Sequence, residues 1–225
     1  MLTIISVVFM VLGGLLGQRL KSKIEHYSAI PLDNGMTGAE IADTMLKFYN
    51  INDVQIIQVP GQLTDHYNPQ NKTVNLSPEV YSGRNVSAAA VASHECGHAV
   101  QHATQYSMLQ FRSAMVPIVN IAANVQQYIF MLGIGMLSQF GPTMLIFALI
   151  VFGVTTAFSL ITLPVEFDAS RRALAWLDSS RTLQGEKHDG AKDALFWAAM
   201  TYVCAAAASL VQFLYLLSRL MNQRR

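Results

Sequence analysis

Charge is what this sequence has least of. Only 13% of its 225 residues are Asp, Glu, Lys or Arg, about half the share found in soluble domains, so an ordinary water-facing surface over the whole chain is excluded. The formal net charge of +1 leaves no cationic surplus for a phosphate backbone, and no nucleic-acid partner is expected. Cysteine is almost missing as well. Cys96 and Cys204 cannot build a disulfide framework, and both are expected to stay reduced. No internal repeat or low-complexity tract is present, which sets aside solenoids and arrays. Nor do basic residues precede the first apolar run, as they would in a secretory signal; Gln18, Arg19, Lys21 and Lys23 follow it. Segment 1–17 therefore reads as a retained anchor.

What fills the chain instead is hydrophobic sequence, at 52%. A hydrocarbon core of about 30 Å needs roughly 20 apolar residues as helix, and four stretches meet or approach that length: 1–17, 113–138, 142–165 and 194–217. The second is the least apolar, with Pro117, Asn120, Asn124, Gln126 and Gln127. Asn120, Asn124 and Gln127 share one helical stripe, suited to inter-helix hydrogen bonds or to a wet path. The fourth carries a small-residue patch at 205–209, suited to close helix packing. Arg19, Lys21, Lys23, Lys47, Lys72, Arg84 and Arg112 lie between the first and second stretches, and Arg171, Arg172, Arg181, Lys187 and Lys192 between the third and fourth. Only Arg219, Arg224 and Arg225 lie on the other side. The positive-inside rule then puts both large loops in the cytoplasm and both termini outside. The expected fold is mainly α: a polytopic membrane protein with four transmembrane helices and a small cytoplasmic α+β zincin-like element.

That element occupies 18–112. Thr37 with Glu40 three residues on forms a capping box, followed by Ile41, Met45 and Phe48 near a helical period. Residues 54–59 form a β-rich run ending at Pro60-Gly61, a turn signal, and 73–76 a second short strand, which together suggest a hairpin. A long Ala-rich helix is expected over 87–105. A region this small cannot form a large core alone, so it should lean on the membrane helices.

The helix contains His94-Glu95-Cys96-Gly97-His98. Residues at i and i+4 lie on one helix face about 6 Å apart along the axis, so both imidazoles can reach one zinc ion at about 2.0–2.1 Å. Glu95 is then placed as general base toward a water that the metal activates. Gly97 leaves room for another helix or for the third ligand to come close. Four residues compete for that third position. His102 continues the spacing, but on a straight helix it lies about 12 Å from His94 and is rotated away by roughly 80°. It reads as a surface or supporting histidine. His188 is expected in a polar, mobile loop, and His66 in a turn-rich segment. Glu166 is the best candidate, because two membrane crossings separate it from His98 and an even number returns the chain to the same face.

Taken together, Gly61-Gln62-Leu63-Thr64-Asp65-His66-Tyr67-Asn68-Pro69, Val74-Asn75-Leu76-Ser77, the His94–His98 motif and Glu166-Phe167-Asp168-Ala169-Ser170 resemble the YugP-like membrane zinc metallopeptidases of bacteria over nearly the whole chain. The resemblance implies Zn2+ held by His94, His98 and Glu166, with Glu95 as base, in a multi-pass protein of the bacterial inner (plasma) membrane. The layout is also similar to HtpX-type proteases, whose active site faces the cytoplasm. Those place an Asp four residues after the ligand Glu; here Ser170 stands there, and Asp168 at two residues is an alternative ligand.

A tetrahedral oxyanion needs a donor besides the metal. His66, Tyr67, Arg171 and Arg172 are candidates, with His66 expected to be catalytic beside Glu95; turn chemistry is the competing role for the Asp65-His66-Tyr67 block, and topology for the arginines. Asp65 or Asp168 could orient a ligand imidazole. Thr73, Val74, Asn75 and Leu76 are expected to form an exposed edge that pairs with an extended substrate. The expected function is hydrolysis of peptide bonds in a protein or peptide substrate by a bilayer-embedded enzyme, with room for a membrane-protein partner or a homo-oligomer. The alternatives are a non-catalytic membrane scaffold or adaptor with structural zinc or no metal and, more weakly, zinc hydrolysis of a non-peptide bond.

Overall fold

The computed structural model describes residues 1–132 and 142–223. The chain runs through α1 (Leu2–Ser28), α2 (Gly38–Phe48), β1 (Gln55–Gln58), β2 (His66–Asn68), β3 (Thr73–Leu76), α3 (Pro78–Ser82), α4 (Val86–Ala103), α5 (Ser107–Leu132), α6 (Pro142–Ser179) and α7 (Glu186–Gln223). These segments form two compact units: one of 1–15, 111–163 and 201–225, the other of 16–110 and 164–200.

The first unit is apolar inside and out. Leu2, Ala122, Ile129, Ala148, Val151, Phe152 and Leu216 form its core, and Gly153 lets the Phe213 ring come close. Two polar contacts join its helices, Thr156 Oγ1 donating to the Ser209 carbonyl at 3.0 Å and Gln212 Nε2 to Ser6 Oγ at 3.3 Å. Outward it shows Ile4, Val8, Leu12, Ile118, Ile121, Phe147, Ile150 and Leu214, a surface that hydrocarbon solvates and water does not. Among the described residues, three helices are long and apolar enough to cross a membrane: Leu2–Ser28, Thr143–Ser179 and Glu186–Asn222. The expected second span coincides with α5 up to Leu132, and its remainder, 133–138, lies outside the described residues. On α5, Asn120, Asn124 and Gln127 are exposed rather than bonded to a neighbouring helix within this unit.

The helices also outlast the apolar stretches that announced them. α6 continues to Ser179, and α7 begins at Glu186, so the polar segment 166–193 is mostly helix. Only 180–185 breaks it, closed by Arg181 (φ 55°) and Gly185 (φ 56°). His188 consequently sits on α7, where Nε2 meets the Leu174 carbonyl at 3.2 Å, and not in a loop.

The second unit is the α+β element completed by the polar halves of α6 and α7. The capping box at α2 forms as the sequence requires: Thr37 Oγ1 accepts from the Glu40 N–H at 3.1 Å, and Glu40 Oε2 accepts from the Thr37 N–H at 2.7 Å. Asn85 caps α4 through a 2.9 Å bond from the Ala88 N–H. Ile41, Met45, Val74, Leu76, Val86, Ala89, Val100, Trp176, Leu177, Leu183 and Leu195 share one core, so this region does lean on helices that come from elsewhere in the chain.

The sheet differs from the expected hairpin. Its order is β1-β3-β2, with β1 parallel and β2 antiparallel to β3. The block 66–68, read as turn chemistry, is a strand, and it supplies the antiparallel partner that 55–58 was expected to be. β3 is therefore central and buried at all four positions. Thr73, Val74, Asn75 and Leu76 cannot be a free substrate-binding edge, because both sides of the strand are already paired. The outer strand beside α4 is β2.

Candidate metal centre

α4 and α6 meet where α4 has no side chain. A Cβ on Gly97 would lie 2.5 Å from the Ala169 carbonyl oxygen, closer than any real contact, so only glycine lets the two backbones approach this near. Glu166 lies one turn before Ala169 on α6. The approach carries its carboxylate between the imidazoles of His94 and His98.

The result is a three-ligand cluster: one donor atom from each of His94, His98 and Glu166 lies within 4.8 Å of the others. Glu166 Oε2 is 3.3 Å from His94 Nε2 and 3.6 Å from His98 Nε2. These separations are longer than charge-assisted hydrogen bonds of about 2.7–2.9 Å. They match the edge of a tetrahedron with metal–ligand bonds of about 2.0–2.1 Å, which is roughly 3.3–3.4 Å. The residues fit a zinc ion by donor type and by spacing.

Both imidazoles are oriented from behind. His94 Nδ1 meets Ser170 Oγ at 3.1 Å, and His98 Nδ1 meets Gln101 Oε1 at 3.0 Å. With the Nδ1 hydrogens donated to these oxygens, each Nε2 lone pair points to the shared centre. Gln101 is fully buried and held in turn: its Nε2 donates to the Val165 carbonyl at 2.8 Å and to Asp168 Oδ2 at 2.9 Å. Asp168 also receives Arg172 Nε at 2.6 Å and the Arg171 guanidinium. Asp168 is thus the anchor of a supporting chain and lies outside the cluster of donor atoms. Ser170, at the position where HtpX-type proteases carry Asp, faces His94. Gln101 was not anticipated. Its signal was available, a long polar side chain one turn after His98 on an otherwise Ala-rich helix.

Glu95 stands beside the cluster, buried. Burial pushes its carboxyl up to about 7, the His94 imidazole works against that, the negative charges of Glu166 and Asp65 add to it, and a hydrogen bond from the Tyr67 main-chain N–H opposes it. That N–H places β2 next to Glu95. Cys96, inside the motif, points the other way into the core, with Sγ 3.6 Å from the Ala42 carbonyl. Burial drives its thiol far above the usual range, so it is no ligand.

The remaining candidates separate clearly. His102 is not in the cluster; its Nδ1 meets the Tyr67 hydroxyl at 2.7 Å. Asp65 accepts from the Ser77 N–H at 2.7 Å and from Ser77 Oγ at 3.1 Å, and so braces β3 rather than an imidazole. Arg171 and Arg172 are committed to Asp168, and Arg172 also lies over the Tyr106 ring at 5.8 Å. His66 is exposed on β2, with Nδ1 2.7 Å from the Thr64 carbonyl. Since that nitrogen must donate, Nε2 can donate to a substrate only when the ring is an imidazolium.

Comparison with known proteins follows the geometry. A family model described as "Putative neutral zinc metallopeptidase" matches residues 2–221. The "Putative membrane protease YugP" of Bacillus subtilis (strain 168) is 41% identical over 208 residues, covering 92% of this chain and 90% of that protein. No solved structure matches the chain.

Proposed function

The chain belongs to this neutral zinc metallopeptidase family, and from that premise we propose that it is a membrane-embedded endopeptidase in which His94, His98 and Glu166 hold Zn2+ and Glu95 is the general base. One observation carries the reading: a carboxylate oxygen lies 3.3 and 3.6 Å from two Nε2 atoms, close to tetrahedral-edge separations, while both Nδ1 atoms are engaged behind them. A core-packing histidine pair has no reason to gather a buried carboxylate between its rings. When bound, zinc supplies Lewis acidity toward a water or a carbonyl oxygen.

The chain's own residues do the rest. Glu95, held near neutrality by burial, is suited to accept a proton from the attacking water and to pass it to the leaving amine at physiological pH. The Gln101–Asp168 and Ser170 bonds fix which imidazole nitrogen faces the ion. An extended substrate pairs with the outer edge of β2, whose Tyr67 N–H already points toward Glu95, rather than with central β3. His66, as its imidazolium, is the donor candidate for the oxyanion. We place the site on the cytoplasmic side of a four-span protein. The basic residues flanking the spans support this, as does the excursion of 111–163 into the apolar unit before the chain returns at Pro164.

The test uses the full chain purified in detergent. It should hold about one zinc, which His94→Ala and Glu166→Ala lose, while Glu95→Gln keeps the metal and no longer cleaves fluorescein-labelled casein. A Glu95→Gln variant as active as wild type would refute the mechanism. Failure of the wild type to retain metal at micromolar zinc would instead favour a scaffold.

A further inference from the structure

We propose that Tyr67 and His102 are a pair of positioning residues that hold β2 against α4 and thereby set the main-chain donor facing Glu95. This rests on the peptidase reading above and deepens it.

His102 follows Glu95 by seven residues on α4, nearly two full turns. The two side chains therefore share one face, about 10 Å apart along the axis. β2 crosses that face and reaches it twice: the Tyr67 main chain lies near enough to Glu95 to help lower that carboxyl, and the Tyr67 hydroxyl meets His102 Nδ1 at 2.7 Å. One residue of the strand thus makes both attachments. They are needed, because β2 has only three residues and a partner strand on one side alone, too little pairing to hold it rigidly. The hydroxyl is the donor when His102 Nδ1 carries no hydrogen. Burial and the nearby Asp53 charge push the Tyr67 phenol up to about 12, so it keeps its proton and His102 Nδ1 accepts it. The two side chains also line a cavity of about 440 Å³ with Asp53, Lys72, Gln105 and Gln110. Shortening either one therefore opens into existing space and does not tear the core. The spacing His94, His98, His102 accordingly has a second meaning: the first two hold the metal, and the third holds the strand that faces the base.

The experiment uses the full chain in detergent with zinc bound and labelled casein as substrate. Tyr67→Phe and His102→Leu should each lower kcat by about ten- to hundredfold, as a misplacement of about 1 Å does, with zinc content unchanged and KM within about threefold. The double variant should be no slower than either single one, because both break the same bond. His102→Asn, whose side-chain carbonyl can accept where Nδ1 did, should recover most of the rate. The nitrogen NMR shift of His102 Nδ1 should move toward that of a free imidazole in Tyr67→Phe. Wild-type kcat in the single variants, multiplicative losses in the double one, or joint loss of zinc would each overturn the proposal. A wild type that does not cleave, or a Glu95→Gln form that does, overturns the peptidase reading itself and the pair's role with it.

Discussion

Replacing Gly97 by alanine asks whether the zinc centre and the α4–α6 contact are one structure. The new methyl carbon would stand 2.5 Å from the Ala169 oxygen, about 0.9 Å inside the nearest ordinary contact of 3.4 Å. The obstacle is backbone at the middle of a helix and cannot swing aside. Two effects oppose each other. Alanine favours the helix over glycine by about 1 kcal/mol, whereas overpacking a close contact costs about 1–3 kcal/mol. The net change in folding stability is therefore a loss of only about 0–2 kcal/mol, and thermal stability is a poor readout. Zinc affinity is the right one. If α6 retreats by most of that 0.9 Å, Glu166 retreats with it, against a tolerance of about 0.2 Å in metal–ligand distance. Strain of 1–3 kcal/mol relieved at the metal's expense corresponds to about five- to 150-fold weaker binding. Competition with a chromophoric chelator measures this directly. Gly17→Ala, a helical glycine with nothing within 4 Å, serves as control. Wild-type zinc affinity in Gly97→Ala would refute the claim that this glycine sets the ligand geometry.

Gln101→Leu removes the acceptor of His98 Nδ1 and should weaken zinc binding about ten- to hundredfold; Ser170→Ala should cost less, since its neutral hydroxyl is tied to no charged group. An order reversed in chelator competition would show that the Gln101–Asp168 chain is not what orients the ring. Burial raises the Asp65 carboxyl above its ordinary value, so its contribution to stability is fully present below about pH 3.9 and is lost as pH rises through the raised folded value. Relative to Asp65→Asn, the wild type should therefore gain in melting temperature as pH falls from 7 toward 4, and parallel curves would contradict this. Cys96, buried and with its thiol pushed far up, should resist maleimide at pH 8 in the native protein and react only after denaturation.

How much of this could be read from residues alone depended on how many positions each feature spans. α4 has eighteen residues and an N-cap, enough for a helical period to be unambiguous, and His94, Glu95 and His98 follow from it. Glu166 was nominated by counting two membrane crossings, and the structure brings its carboxylate to His94 and His98, while α5, the first of those crossings, is not among the three described helices long and apolar enough to span. The sheet was misread because strands of three and four residues offer only one or two alternations, and a period of two cannot be separated from chance over so few. Parallel pairing of β1 with β3 is a tertiary outcome with no local signal. The span boundaries marked where apolar sequence stops, which is not where hydrogen bonding stops. α6 continues for thirteen residues past Glu166 because nothing there breaks a helix. Gln101 was overlooked because a single glutamine is a weak signal: its place one turn after His98 hinted at a role, and its complete burial shows that it has one.

The supporting residues also explain why Glu166 and not Asp168 faces the imidazoles. On α6 a step of two residues turns the side chain by about 200°, whereas a step of four turns it by only about 40°. Glu166 and Ser170 therefore present together toward His94, and Asp168 is directed elsewhere, to Gln101 and the two arginines. Each α4 histidine is thus steadied by a residue whose position α6 determines, and the α6 carboxylate lies between the α4 histidines. A carboxylate only 3% exposed is costly to keep ionised without compensation, and here Oε2 lies 3.3 Å from His94 Nε2 and 3.6 Å from His98 Nε2. With zinc held as proposed, one divalent ion satisfies all three groups at once, where a proton shared with one imidazole satisfies a single pair. Under the proposed zinc site, metal binding and the docking of α6 on α4 would be a single equilibrium, with zinc at a thousand times its Kd contributing about 4 kcal/mol to that docking.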